Sequence, residues 1–103
     1  MNRLLLIATI ITLLSGCTWV QLTSEGQGVR VATAGEISSC TRLGRANAQT
    51  LSRITVVERG GERLQEELTT LARNEAGSMG GNTIVPESII DEGRQTFGVY
   101  RCP

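Results

Sequence analysis

The sequence predicts an α+β domain in two layers, one amphipathic helix packed on a mostly antiparallel sheet. Three observations carry that expectation. Only residues 62–79 show helical periodicity over a useful length: Leu64, Leu68, Leu71, Ala72, Ala76 and Met79 fall at offsets 0, 4, 7, 8, 12 and 15. Alternating or β-branched segments lie on both sides of it. A helix with one apolar stripe must bury it, and a sheet is the partner those segments can build.

Taken in order, residues 28–32 alternate, with Val29 and Val31 on one side and Arg30 on the other, as in a half-buried strand. Thr33-Ala34-Gly35-Glu36 reads as a turn. Residues 37–43, which hold Cys40, read as a short extended segment, and 45–49 are ambiguous. Ile54, Thr55, Val56 and Val57 make 51–58 a strand that Gly60-Gly61 ends. Glu62, Glu66 and Glu67 then occupy the first two turns of the helix, where its dipole favours acids. Gly77 weakens the last turn by about 1 kcal/mol against alanine, and Gly80-Gly81 supplies left-handed cap conformers. Residues 83–90 read as a strand whose Pro86 marks an edge or a bulge. Asp91-Glu92-Gly93 is a hairpin turn. Residues 95–102 close the domain, with Phe97 and Val99 on one face and Tyr100 and Cys102 on the other.

A chain of 103 residues holds one such domain and no second. Hydrophobic residues at 40% and charged residues at 19% fit a globular protein. Basic and acidic residues balance at ten each, so no strong field recruits nucleic acid or anionic lipid. Histidine is absent, which excludes Ser-His-Asp hydrolases and zinc sites that use histidine. No cofactor or metal is expected.

The first seventeen residues carry a separate signal. Met1-Asn2-Arg3 is a short basic start, and an apolar run over 4–14 follows. Eleven helical residues reach about 16 Å, well short of a ~30 Å hydrocarbon core, as in the apolar region of a secretory signal. The run ends in Leu14-Ser15-Gly16-Cys17, which resembles the bacterial lipobox: a branched aliphatic, two small residues, then a cysteine whose thiol accepts a diacylglyceryl group. On this reading residues 1–16 are a lipoprotein signal peptide, 17–27 a lipidated N-terminus and short tether, and 28–103 the periplasmic domain. Trp19 either rests at the headgroup boundary or packs on the domain. Thr18 after the cysteine, rather than aspartate, points to the outer membrane facing the periplasm.

With Cys17 consumed by lipid, Cys40 and Cys102 remain, and an oxidising extracytoplasmic space favours pairing them. Without a CxxC spacing or a histidine, a structural disulfide is expected over a redox pair. Other constellations read as ordinary structure: Asp91-Glu92 as solvated turn acids rather than a calcium site, Glu66-Glu67 as a solvated helix face, and Gly77 to Gly81 as a helix end where a phosphate loop would open a helix. Arg42, Arg45, Arg53, Arg59, Arg63 and Arg73 concentrate in the middle of the chain. If the fold gathers some of them, they form an anion- or partner-binding patch; their interleaving with glutamates favours surface pairing.

Residues 71–76, Met79-Gly80-Gly81-Asn82-Thr83-Ile84 and 97–102, with Cys17 to Leu22 and Cys40 to Gly44, resemble a family of small bacterial lipoproteins known as a domain of unknown function. That family is similar in turn to the outer-membrane sensor lipoprotein of the Rcs envelope-stress phosphorelay. The resemblance implies a lipid-anchored α+β periplasmic domain with a disulfide. This chain departs from the Rcs sensor in having one candidate disulfide where the sensor has two. In place of a long proline-rich linker it has about ten residues, which span at most ~35 Å. The function expected is non-catalytic: binding of a protein partner near the membrane, with envelope-stress sensing as one form of it. The alternatives are a structural or assembly component of the outer membrane and a thiol-dependent redox protein.

Overall fold

The structure, a computed structural model, describes residues 20–50 and 61–103. Cys17, Trp19, the signal segment and the strand expected over 51–58 lie outside the described residues. The elements run α1 (Ser24–Gln27), β1 (Arg30–Val31), a 3-10 turn (Ala34–Glu36), β2 (Thr41–Gln49), α2 (Gly61–Ser78), β3 (Thr83–Pro86) and β4 (Arg94–Arg101). One mixed sheet has the order β1-β3-β4-β2, parallel between β1 and β3 and antiparallel at the other two pairings. With α2 packed on β2, β3 and β4, the domain is the two-layer α+β arrangement that the sequence predicts.

α2 forms one residue earlier than the periodicity suggests, and it buries the stripe that defines it. Leu64, Leu68, Ala72 and Ala76 are buried against Ala46, Ala48, Ile84, Phe97 and Val99, while Leu71 packs at the margin. Met79 lies past the helix end and is 37% exposed. The helix stops in a Schellman arrangement: the Gly81 N–H donates to the Ala76 carbonyl at 2.8 Å and the Gly80 N–H to the Gly77 carbonyl at 3.1 Å. Of the two glycines only Gly80, at φ 84°, is left-handed. Gly81 serves a different need, since a Cβ there would stand 2.6 Å from Cγ1 of Val99 on the sheet below.

The hairpin forms at the expected residues. Asp91 and Arg94 exchange both backbone hydrogen bonds at 2.9 Å. Between them Glu92 and Gly93 take φ 48° and 73°, the two left-handed central residues of a type I′ turn. Pro86 ends β3 beyond the last β1 pairing, where one edge of the strand is open.

Three readings of the first half need correction. Residues 37–43 are not one extended segment: the Cys40 N–H closes a turn on the Ile37 carbonyl, and β2 starts at Thr41. The ambiguous residues 45–49 are the body of that strand, with Ala46 and Ala48 inward and Arg45, Asn47 and Gln49 outward. Alanine, asparagine and glutamine are poor strand formers, so pairing with β4 decides their state. Val31 does not share the burial of Val29; it is 49% exposed on a two-residue edge strand that α2 does not cover.

The expected tether over 17–27 is docked on the domain from Gln21 onward. The Asn74 side chain in α2 accepts from the Thr23 N–H and donates to the Gln21 carbonyl, both at 2.8 Å. Thr23 caps α1 by accepting from the Gly26 N–H at 3.0 Å. Arg73 donates to the Val29 and Gln27 carbonyls at 2.7 and 3.4 Å. Gly77, unfavourable in a helix by itself, is explained here: a Cβ would sit 2.5 Å from the Glu25 backbone of α1.

Cys40 and Cys102 are bonded, with a Cα–Cα distance of 4.2 Å. Thr41 pairs with Arg101 at the end of the β2–β4 ladder, so the two cysteines are the next facing pair. The Asn82 side chain also holds Cys102, accepting from its N–H at 2.8 Å and donating to its carbonyl at 2.9 Å. The bond spans 62 residues, for which loop-closure entropy gives a stabilisation on the order of 4 kcal/mol.

Two outcomes are expected. Leu68→Asp places a carboxylate at a fully buried position and should cost several kcal/mol, enough to abolish cooperative thermal unfolding; a melt close to wild type would contradict the packing of α2. Thiol titration of the native protein should find neither Cys40 nor Cys102 free, and Cys102→Ser should lower the melting temperature and the yield together.

Candidate functional site

α2 covers one face of the sheet and leaves the other without a helix among the described residues. The pairings assign the side chains of that outer face. Arg42, Tyr100, Thr83 and Arg30 form one cross-strand row; Arg45, Gly98 and Val85 form the next, followed by Asn47 with Thr96 and Gln49 with Arg94. Arg42 and Arg45 are three residues apart and would lie on opposite faces of a regular strand. The β2–β4 register shifts between Arg42 and Gly44, and this bulge at Leu43 turns both arginines outward.

Both arginines converge on Glu87, just past β3. The Arg42 guanidinium donates to Oε2 of Glu87 at 2.6 Å and to Oε1 at 3.2 Å, a two-pronged contact, and also to the Tyr100 hydroxyl at 2.9 Å. Its central carbon stands 5.5 Å from the centre of the Tyr100 ring. Nε of Arg45 lies 3.5 Å from Oε1 of Glu87. The floor beneath is Gly98, where a Cβ would come within 2.7 Å of Nη1 of Arg42 and Oε2 of Glu87. The hydrogen bond from Arg42 holds the Glu87 carboxyl below its ordinary value, with Arg45 adding to the effect, and Glu87 and Tyr100 raise the Arg42 guanidinium further.

Toward the hairpin the same face carries Arg94, with two adjoining hollows of about 520 and 290 Å³ that share Arg94, Gln95 and Thr96. Ser88, Ile89 and Asp91 line the first; Asn47, Ala48 and Gln49 line the second. The face therefore presents Arg42 and Arg45 around one central glutamate, with Arg94 beside Asp91 toward the hairpin, together with amide and hydroxyl groups. Such a surface suits recognition of carboxylates.

The fold divides the arginines expected as a patch. Arg42 and Arg45 meet on the outer face, whereas Arg73 is on α2 and holds the backbone at Gln27 and Val29. Arg63 is also on α2, and Arg53 and Arg59 lie outside the described residues. Glu66 is exposed, but Glu67 accepts from the Thr50 hydroxyl at 3.0 Å and is less free than a solvated face implies. Among the described residues no three acidic or cysteine side chains gather into a metal-binding group. Glu87, Tyr100 and Gly98 were missed by sequence reasoning, because their meeting with Arg42 depends on strand register and on the bulge.

The pH dependence of the cluster has a definite sign. A carboxyl lowered by folding stabilises fully above its ordinary value of 4.5, and that contribution is lost as the pH falls through the lowered value. Glu36 acts in the same direction, lowered by the Thr33 N–H and hydroxyl that it caps. Urea unfolding of Glu87→Gln across acid pH should therefore show a shallower loss of stability below pH 4.5 than wild type, with little change in fold at neutral pH; identical pH profiles would remove Glu87 from the cluster.

No curated protein and no solved structure matches the chain. A family model does match, over residues 20–102, so that α1, the whole sheet, α2 and both bonded cysteines fall within it. By that match the chain belongs to the family described as Domain of unknown function (DUF4156).

Proposed function

We propose that the protein is a lipid-anchored, non-catalytic component of the bacterial cell envelope that binds a protein partner through the outer face of its sheet. The anchor reading rests on Leu14-Ser15-Gly16-Cys17 after an apolar run of signal length. The Cys40–Cys102 bond supports an oxidising compartment outside the cytoplasm. Thr18 supports sorting to the outer membrane, with the domain in the periplasm. Stress sensing is one form that this partner binding takes, on the resemblance of the sequence to the Rcs sensor lipoprotein.

The observation that carries the binding reading is the arrangement around Glu87. Arg42 and Arg45 outnumber the single glutamate between them, on a face that no described helix covers. Arg42 is held in place by Glu87 and Tyr100 and so loses little freedom when a partner binds. Arg45 keeps 60% of its side chain exposed. An acidic segment of a partner complements this surface, and guanidinium groups pair with its carboxylates two-pronged.

The test is made in whole cells with a photo-crosslinking residue at Asn47. One specific protein adduct is expected, and it should fall to background in Arg45→Glu while the variant keeps its abundance and its melt. Cys17→Ser in the same background should yield an unprocessed or soluble precursor that leaves the membrane fraction. An adduct unaffected by charge reversal would refute binding through this face; a Cys17→Ser protein of mature mass in the membrane would refute the anchor.

A further inference from the structure

The docking of the N-terminal segment determines which side of the domain the anchor leaves from. Resting on the anchor reading above, we propose that the α1–α2 side of the domain stands against the lipid surface and that Asn74 and Gly77 enforce this orientation. The arginine-bearing face of the sheet is thereby turned away from the membrane, toward a partner in the aqueous space.

The first support is length. Gln21 is bound to Asn74, so only four residue steps separate it from Cys17, a leash of at most about 14 Å. The second is placement. Successive helix residues turn by about 100°, which puts Arg73, Asn74 and Gly77 on the opposite side of α2 from Leu64, Leu68, Ala72 and Ala76. The latter four face the sheet, so α1 and the docked Gln21 sit on the outer side of the helix layer, and the leash starts from there. To bring the face of the sheet opposite α2 to the lipid, the chain would have to pass around a helix about 10 Å thick and the sheet beyond it. A 14 Å leash is too short for that path. Undocked as far as Gly28, the same chain would reach about 40 Å and impose no orientation.

The contact with lipid rests on this leash. The outer side of the helix layer carries both signs, with Glu25 and Glu66 beside Arg63 and Arg73, so charge alone does not choose the orientation. The clamp also has the form of a dedicated contact. Both functions of the Asn74 amide are used on backbone groups of residues 21 and 23, and Gly77 gives up helix propensity to let the α1 backbone cross.

The experiment uses full-length lipidated protein in vesicles of phosphatidylethanolamine and phosphatidylglycerol, with a benzophenone side chain placed at Glu66 or at Asn47. Phospholipid adducts should form several-fold more at Glu66 than at Asn47. In Asn74→Ala combined with Gly77→Ala, which releases α1 while favouring α2 itself, the two positions should give equal yields, and the melt should show that the domain remains folded. Equal yields in the wild type, or an excess at Asn47, with a lipidated Cys17 in the mass spectrum, would overturn the orientation. A mass spectrum without lipid on Cys17 would overturn the anchor reading, and the orientation with it.

Discussion

Everything in this small domain depends on how closely α2 can sit on the sheet. The contact is made by alanines from both sides, Ala72 and Ala76 on the helix and Ala46 and Ala48 on β2, all buried. Small side chains let the backbones approach, and Leu64, Leu68, Ile84, Phe97 and Val99 fill what remains. Phe97 is the chain's one phenylalanine and sits on β4, inside the sheet between β3 and β2. The close seating accounts for Gly81, which passes above Val99, and for the helix end at Gly80. A domain of this size buries a modest share of its chain's surface, so one cross-link weighs heavily in its stability. The Cys40–Cys102 bond, just beyond the last rung of the β2–β4 ladder, adds to what the core provides.

Two asparagines do for the chain ends what the ladder does for the strands. Asn82 pairs with both backbone groups of Cys102, and Asn74 pairs with the backbone at Gln21 and Thr23. A side-chain amide sets an N–H donor beside a carbonyl acceptor much as a peptide group does, so each asparagine imitates a neighbouring strand where none is present. The described chain is therefore tied down at both of its ends, where short domains otherwise fray.

The polar cluster on the face opposite α2 is a consequence of irregularity in β2. Without the bulge at Leu43, Arg42 and Arg45 would face opposite ways, and one of them would point into the core. Gly98 leaves room for the pair with Glu87 to lie flat on the sheet, and Tyr100 closes it from the next row. Two arginines on one carboxylate hold the glutamate firmly and leave positive charge unspent at the surface. That surplus lies on a face turned away from the helix layer and is the ground for the binding role proposed for it.

The stripe in α2, the acids in its first turns, the type I′ hairpin, the inward faces of Phe97 and Val99 and the cysteine pairing were all legible in the sequence. Each depends on periodicity, on a local backbone preference or on simple elimination, and these act over a few residues or on counts. The state of residues 45–49, the exposure of Val31, the docking of residues 21–27 and the meeting of Arg42, Arg45, Glu87 and Tyr100 were not legible. These were decided by strand register, by a single-residue bulge and by the cover that one helix can give. A one-residue change in any of these reverses which way a side chain points, and nothing local in the sequence records it.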